Sequence, residues 1–273
     1  MCQTAILLGN TDHLSITLGL TGRKAELMAK VPHYERDELA ISEVFDALVT
    51  GTRPVYFQEN ESTHLWGGGS MFIAQWKEKQ FAITAKHVFT NAKANPTHTR
   101  IFFPGYKVAL PILGIYTPTF ENYAAREDLE DIAVLRLNHE VALQDEELAW
   151  HAWRMDLFWR SAKDLAAGQQ LFAVGFPSTE DRYDWDNQRV NEMPMIAIGK
   201  LSEDSLGDGL YCIETATFEH DIDGSSGGPV FARFNGLFHY VGLIIRGGTK
   251  AQKIHFIDAA FVIFVLEYAC GAA

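Results

Sequence analysis

Residues 220–231 read HDIDGSSGGPVF, in which Gly224, Ser225, Ser226, Gly227, Gly228 and Pro229 lead into the β-forming pair Val230-Phe231. Glycine inside regular structure lowers stability, because it loses more backbone freedom on folding than any other residue. Glycines around a serine, on a turn that enters a strand, instead free the backbone to present one hydroxyl. They also let successive N–H groups point into one small concavity. A concavity of that kind can hold a developing oxyanion. A hydroxyl is a weak nucleophile near neutral pH and needs a base set against it, with a third group to fix that base's tautomer. The rest of the chain must therefore supply a histidine and an acid.

Of ten histidines, His87 has the clearest context. FAITAKHVF, residues 81–89, is a β run ending in small residues, so His87 falls at a strand exit, where functional loops begin. In EDIAVLRL, residues 130–137, Asp131 directly precedes an apolar run of the buried-strand type. A carboxylate there is unfavourable unless something bonds to it. Asp128 and Glu130 are nearby acids, but neither touches the apolar run. WGGGS, residues 66–70, lacks the Lys-Ser/Thr ending and following helix of a phosphate loop, and reads as a turn into the first hairpin.

The order His87, Asp131, Ser226 and these three strings resemble the chymotrypsin-like serine peptidases. Thr84 to His87 is similar to that family's T-A-A/G-H string, with Lys86 in place of the usual small residue. Asp131 to Leu137 is similar to D-I-A-L-L-R-L, and Gly224 to Pro229 to G-D/N/S-S-G-G-P. GQQLFAVGFPS, residues 168–178, resembles the strand that opens the family's second barrel. The resemblance implies an all-β fold of two antiparallel barrels meeting at the site. Ser226 would be the nucleophile, His87 the general base and then acid, and Asp131 the residue orienting the imidazole. The N–H groups of Gly224 and Ser226 would form the oxyanion hole, with no metal and no cofactor.

Ser225 stands where animal trypsins carry an aspartate that pairs with a freed N-terminal amine, so activation by that ion pair is not expected. His220 replaces the aspartate that gives trypsins their Arg/Lys selectivity, and Ile245, Arg246, Gly247 and His255 would complete the substrate pocket. The histidines and arginine suit an acidic or amide side chain, although Asp221 and Asp223 oppose it. A preference for acidic side chains is the expectation carried forward, with a structural role for His220 and His255 as the alternative.

The 273 residues, 47% hydrophobic and 12% aromatic, are ample for a packed core. YERDELAISEVFDALV, residues 34–49, spaces Ile41, Val44, Phe45 and Leu48 as one face of an amphipathic helix. From about residue 66 the pattern is one of short β runs and turns. Residues 144–168 read as a connector with some helix, packed by Trp150, Trp153, Leu157 and Phe158. AAFVIFVL, residues 259–266, is too short to span a bilayer and reads as a buried or docking helix. The chain thus divides into an N-terminal extension, partly helical, over 1–60, a first barrel with connector over 61–165, and a second barrel with C-terminal helix over 166–273.

A net charge of −12, with 35 acidic against 23 basic residues, leaves no basic face for nucleic acid or anionic lipid. The start has no Lys or Arg before Arg23 and breaks its apolar run at Gly9 to Asp12, unlike a secretory leader. Cys2, Cys212 and Cys270 are odd in number and widely spaced, which fits reduced thiols in a cytoplasm, with Cys2 inert. The expectation is a regulated cytoplasmic serine endopeptidase acting on polypeptide through an acyl-enzyme. The alternative is a protease-fold binding or scaffold module with little turnover. Residues 1–60 would dock a regulatory protein partner or cover the back of the barrels.

Overall fold

A computed structural model describes residues 41–59, 65–102, 109–138, 152–178, 183–184, 189–190, 193–203, 207–215, 222–248 and 250–271. The described residues open with helix α1 (Ile41–Val49), and eight strands among them follow in the N-terminal half. These are β1 (Thr52–Pro54), β2 (Tyr56–Phe57), β3 (Ser70–Trp76), β4 (Lys79–Thr84), β5 (Thr99–Arg100), β6 (Ile112–Tyr116), β7 (Ala133–Leu137) and β8 (Trp153–Arg154). Short helices α2 (His87–Asn91) and α3 (Arg126–Leu129) interrupt them. The C-terminal half holds β9 (Gln170–Gly175), β10 (Tyr183–Asp184), β11 (Arg189–Val190), β12 (Met195–Leu201), β13 (Leu210–Thr215), β14 (Pro229–Phe234), β15 (Leu237–Gly248) and β16 (Lys253–Asp258). Helix α4 (Ala259–Gly271) closes the described chain.

The two halves differ in closure. β12-β13-β16-β15-β14-β9 form a closed barrel, whereas the N-terminal strands run β1-β3-β4-β7-β6, with β8 parallel on β3 and β2-β5 as a separate ribbon. Of the two barrels expected, the C-terminal one is closed; the N-terminal ladder does not close among the described residues. Two hairpins have left-handed residues at both turn positions, Lys77-Glu78 (φ 46° and 67°) and Asn235-Gly236 (φ 47° and 79°). Such turns match the right-handed twist of the strands they join.

Alternation along the strands sorts the side chains into three cores. Phe72, Ala74 and Trp76 of β3 point with Phe172 and Val174 of β9 into a central core shared by both halves. Met71 and Ile73 point the other way, against Phe57, Val88 and Leu135. Leu171 and Ala173 face the barrel interior with Val230 and Phe256. Both faces of β3, β4, β7 and β9 are thus covered, which is why these strands read as continuous apolar runs.

Three expectations are corrected. In the described part of the connector, residues 152–168, the expected helix is limited to a 3₁₀ turn at Ala162–Asp164: β8 pairs Trp153 with Ala74 of β3, and the Trp153 ring packs 4.6 Å from that of Phe231. The open edge of β3 offers backbone partners, and tertiary pairing overrides helix-like spacing; Trp150 lies outside the described residues. In α1, Val44 and Leu48 are buried in the central core, but Phe45 is 38% exposed. The boundary at residue 60 is also crossed, because β1 pairs with β3 and β2 with β5, building residues 41–57 into the N-terminal half. Residues 34–40 lie outside the described part.

Helix α4 buries Val262, Val265, Leu266 and Ala269 in the central core. Its first turn is capped by Asp258, whose Oδ1 accepts the Ala260 N–H at 2.7 Å. No helix of the described residues is long and apolar enough to cross a membrane.

Candidate active site

The β4–β7 ladder brings His87 and Asp131 together. The strands run antiparallel with Thr84 opposite Ala133, so residues just after β4 and just before β7 share one edge. The Lys86 N–H reaches the Asp131 carbonyl at 3.3 Å, and the Lys86 side chain is exposed. Asp131 then grips His87 twice: Oδ1 accepts the main-chain N–H at 2.7 Å and Oδ2 faces ring Nδ1 at 2.6 Å. A carboxylate only accepts, so Nδ1 carries the proton and Nε2 is left as the basic nitrogen. These charge-assisted bonds offset the cost of partly burying the acid.

Facing this pair is the loop that the glycines shape. The N–H groups of Ser225, Gly227 and Gly228 donate to the carbonyls of Ile222, Ile244 and Ser225. Among the described residues the N–H groups of Gly224 and Ser226, expected as the oxyanion hole, have no acceptor. Gly224 has φ +95°, a conformation a side chain would strain, and a Cβ there would come 2.6 Å from the Ser178 nitrogen. His87 and Ser226 line one cavity of about 200 Å³. The Ser226 hydroxyl donates to the Ile245 carbonyl at 3.1 Å, and no hydrogen bond joins it to His87 among the described residues.

The profile of the family described as trypsin-like peptidase domain matches residues 69–238, more than half of the chain and all three of these residues. The chain belongs to the trypsin-like peptidase family. No curated protein matches it.

In this trypsin-like peptidase Ile245, Arg246 and Gly247 line the cavity, joined by Asn91, Ile222, Asp223, Ser225, Ile244 and Ile254. His255 does not line it. Its neighbours Ile254 and Phe256 face the barrel core, so the pleat turns His255 outward, opposite Arg246 in the ladder. Burial first, then the Arg246 and Lys253 charges, hold the His255 imidazole below its ordinary value. It is therefore a poor cation for an acidic ligand. Arg246 forks onto Asp128 through Nη1–Oδ1 and Nη2–Oδ2, so its charge is already matched. His220 lies outside the described residues.

The other acids near Asp131 are occupied elsewhere. Asp128 holds Arg246, while Glu130 accepts from the Phe120 N–H at 2.8 Å and Arg126 Nε at 2.6 Å. Those bonds, the Phe120 N–H foremost, hold the Glu130 carboxyl below its ordinary value. Ile254 had no distinguishing signal in the sequence, since an isoleucine in a β run reads first as core, and Ile222 stands between two aspartates in a turn-rich stretch that gives no sign of its direction.

Proposed function

We propose that the protein is a serine endopeptidase. The Ser226 hydroxyl, turned from the Ile245 carbonyl towards His87, attacks the scissile carbonyl carbon as Nε2 takes its proton. The carbonyl electron pair moves onto oxygen, where the N–H groups of Gly224 and Ser226 receive it. Each such donor lowers the barrier by about 3 to 4 kcal/mol. His87 then protonates the leaving amine, leaving an ester on Ser226 that water hydrolyses by the same steps. Asp131 keeps Nδ1 protonated and the ring aimed throughout.

The observation that carries this reading is the two-point grip of Asp131 on His87 beside the cavity His87 shares with Ser226. A fluorophosphonate probe should label the wild type and not Ser226→Ala. A folded wild type that stays unlabelled sinks the proposal. The scaffold reading draws its support from the Ser226–Ile245 bond and is separated by the same experiment.

The cavity is below the usual 300 to 1,000 Å³ of small-molecule pockets, and Ile222, Ile244 and Ile254 line it. The small volume, with the Asp223 carboxylate also in the lining, supports a small side chain before the cut bond rather than an acidic one. A peptide-library profile led by Glu or Gln would reverse this choice. The substrate is polypeptide, and the free thiols of Cys212 and Cys270 fit a reducing cytoplasm, which cell fractionation tests. A regulatory partner for the N-terminal segment is tested by truncation after residue 40, which spares the core helix α1; unchanged activity and binding would dispose of it.

A further inference from the structure

The two halves meet at a fully buried residue that plays no part in the steps above. Ser70 opens β3 and has 0% exposure. Pro54 of β1 stands opposite Ser70 on one side, but on the other the β3–β4 register pairs Met71 with Thr84, where β4 ends, so Ser70 has no partner in β4. Its backbone groups are taken up by other partners. The Ser70 N–H donates to the Ser226 carbonyl at 2.7 Å, and the Ser70 carbonyl accepts the Thr84 hydroxyl at 2.6 Å. The Ser70 hydroxyl accepts the Phe176 N–H at 2.8 Å and donates to the Gly224 carbonyl at 2.8 Å.

These bonds fall on the residues that supply the free N–H groups. The peptide planes on either side of Gly224 are held by Ser178 N–H on the Asp223 carbonyl and by the Ser70 hydroxyl on the Gly224 carbonyl. Those on either side of Ser226 are held by Gly228 N–H on the Ser225 carbonyl and by Ser70 N–H on the Ser226 carbonyl. Each free N–H thus belongs to a residue with both flanking planes held, and Ser70 supplies one hold in each case. The adjacent Ser225 hydroxyl is buried without a partner and does not share this work. The approach is close: a Cβ on Gly227 (φ +87°) would come 2.1 Å from the Ser70 carbonyl oxygen.

We infer that Ser70 is a positioning residue for the oxyanion hole, holding the nucleophile loop of one half against the strand of the other. The inference rests on the peptidase reading. Alanine at 70 would remove the hydroxyl that satisfies both Phe176 and Gly224 and leave the loop held by the main chain alone.

Removing one oxyanion donor outright lowers kcat about 100- to 1,000-fold, so loosening the hole in Ser70→Ala should lower it about 10- to 100-fold. KM should stay within about threefold and the pH profile of labelling should keep its shape, because the His87–Asp131 pair is untouched. Ser161→Ala is the control, removing a buried hydroxyl that bonds Asp258 at 2.7 Å away from the site. It should lower the unfolding temperature without slowing fluorophosphonate labelling. Should Ser70→Ala fail to fold, Ser70→Cys fills the site with a slightly larger and weaker hydrogen-bonding group, and its expected loss is smaller but in the same direction. A folded Ser70 variant labelled at the wild-type rate, or Ser161→Ala slowed equally, overturns the inference and leaves the peptidase reading standing. A wild type that does not label overturns both.

Discussion

The N-terminal half presents a histidine and an acid already joined, while the C-terminal half presents a serine whose hydroxyl is engaged elsewhere. His87 and Asp131 sit at the ends of strands paired through a continuous ladder and make bonds of 2.7 and 2.6 Å. Ser226 reaches the same cavity from the other half and spends its hydroxyl on Ile245 at 3.1 Å. Geometry set within one sheet inherits the precision of its backbone bonds. Geometry set across a seam depends on the few contacts that cross it, here Ser70, the Arg246–Asp128 fork and the central core.

The sharpest way to break this contrast is to remove one member from each side. Ser226→Ala and His87→Ala should each lower kcat by roughly 10⁴- to 10⁶-fold, and the double variant should be no worse than either single one. Additive losses in steady-state kinetics would mean that the residues do not act as a unit. Asp131→Asn tests the half that is already assembled. An amide oxygen can still accept the His87 N–H, but the ring loses the partner that fixes its tautomer, so kcat should fall about 10⁴-fold with the fold retained by circular dichroism. Near-normal turnover would show the pairing to be structural only.

Arg246→Ala probes the seam at its surface. The Arg246 and Asp128 side chains are 51% and 30% exposed, so the pair is worth less than about 1 kcal/mol. A change of a few fold in kcat/KM is expected, shrinking as salt is raised; a tenfold loss that ignores salt would assign Arg246 a larger role. The smallest effect concerns Asp258, which ties the connector, β16 and α4 together. Burial, opposed by bonds from Ala260, Ser161 and Lys163, raises its carboxyl above the ordinary range. The folded protein therefore holds this proton more tightly than the unfolded chain. That contribution to stability is fully present below the unfolded pKa of about 4 and is lost as pH rises through the raised folded value. Unfolding temperatures of wild type and Asp258→Asn should accordingly diverge in slope over that window; parallel curves would exclude it.

Much of the fold was readable in advance, for reasons that differ along the chain. The runs at Ser70–Trp76, Ala133–Leu137 and Gln170–Gly175 are apolar on both faces and bounded by turn residues, so they announce strands whatever they pack against. The segment around Trp153 is different: its aromatic spacing suits a helix, and only the open edge of β3 turns it into a strand. The family resemblance puts His255 in the pocket, whereas the pleat of β16 sends Ile254 there instead.

What the sequence determined by itself is local: the glycine-rich turn around Ser226, the strand exit at His87, the acid before β7 and the order in which they occur. Local strings carry such features because dihedral preference and side-chain alternation act over a few residues. Tertiary structure alone decided which half closes into a barrel, which isoleucines line the cavity and that Ser70 fastens the nucleophile loop. Those depend on hydrogen bonds and packing between segments far apart in the chain, more than 100 positions apart for Ser70 with Phe176 or Gly224, and no short stretch encodes its distant partner.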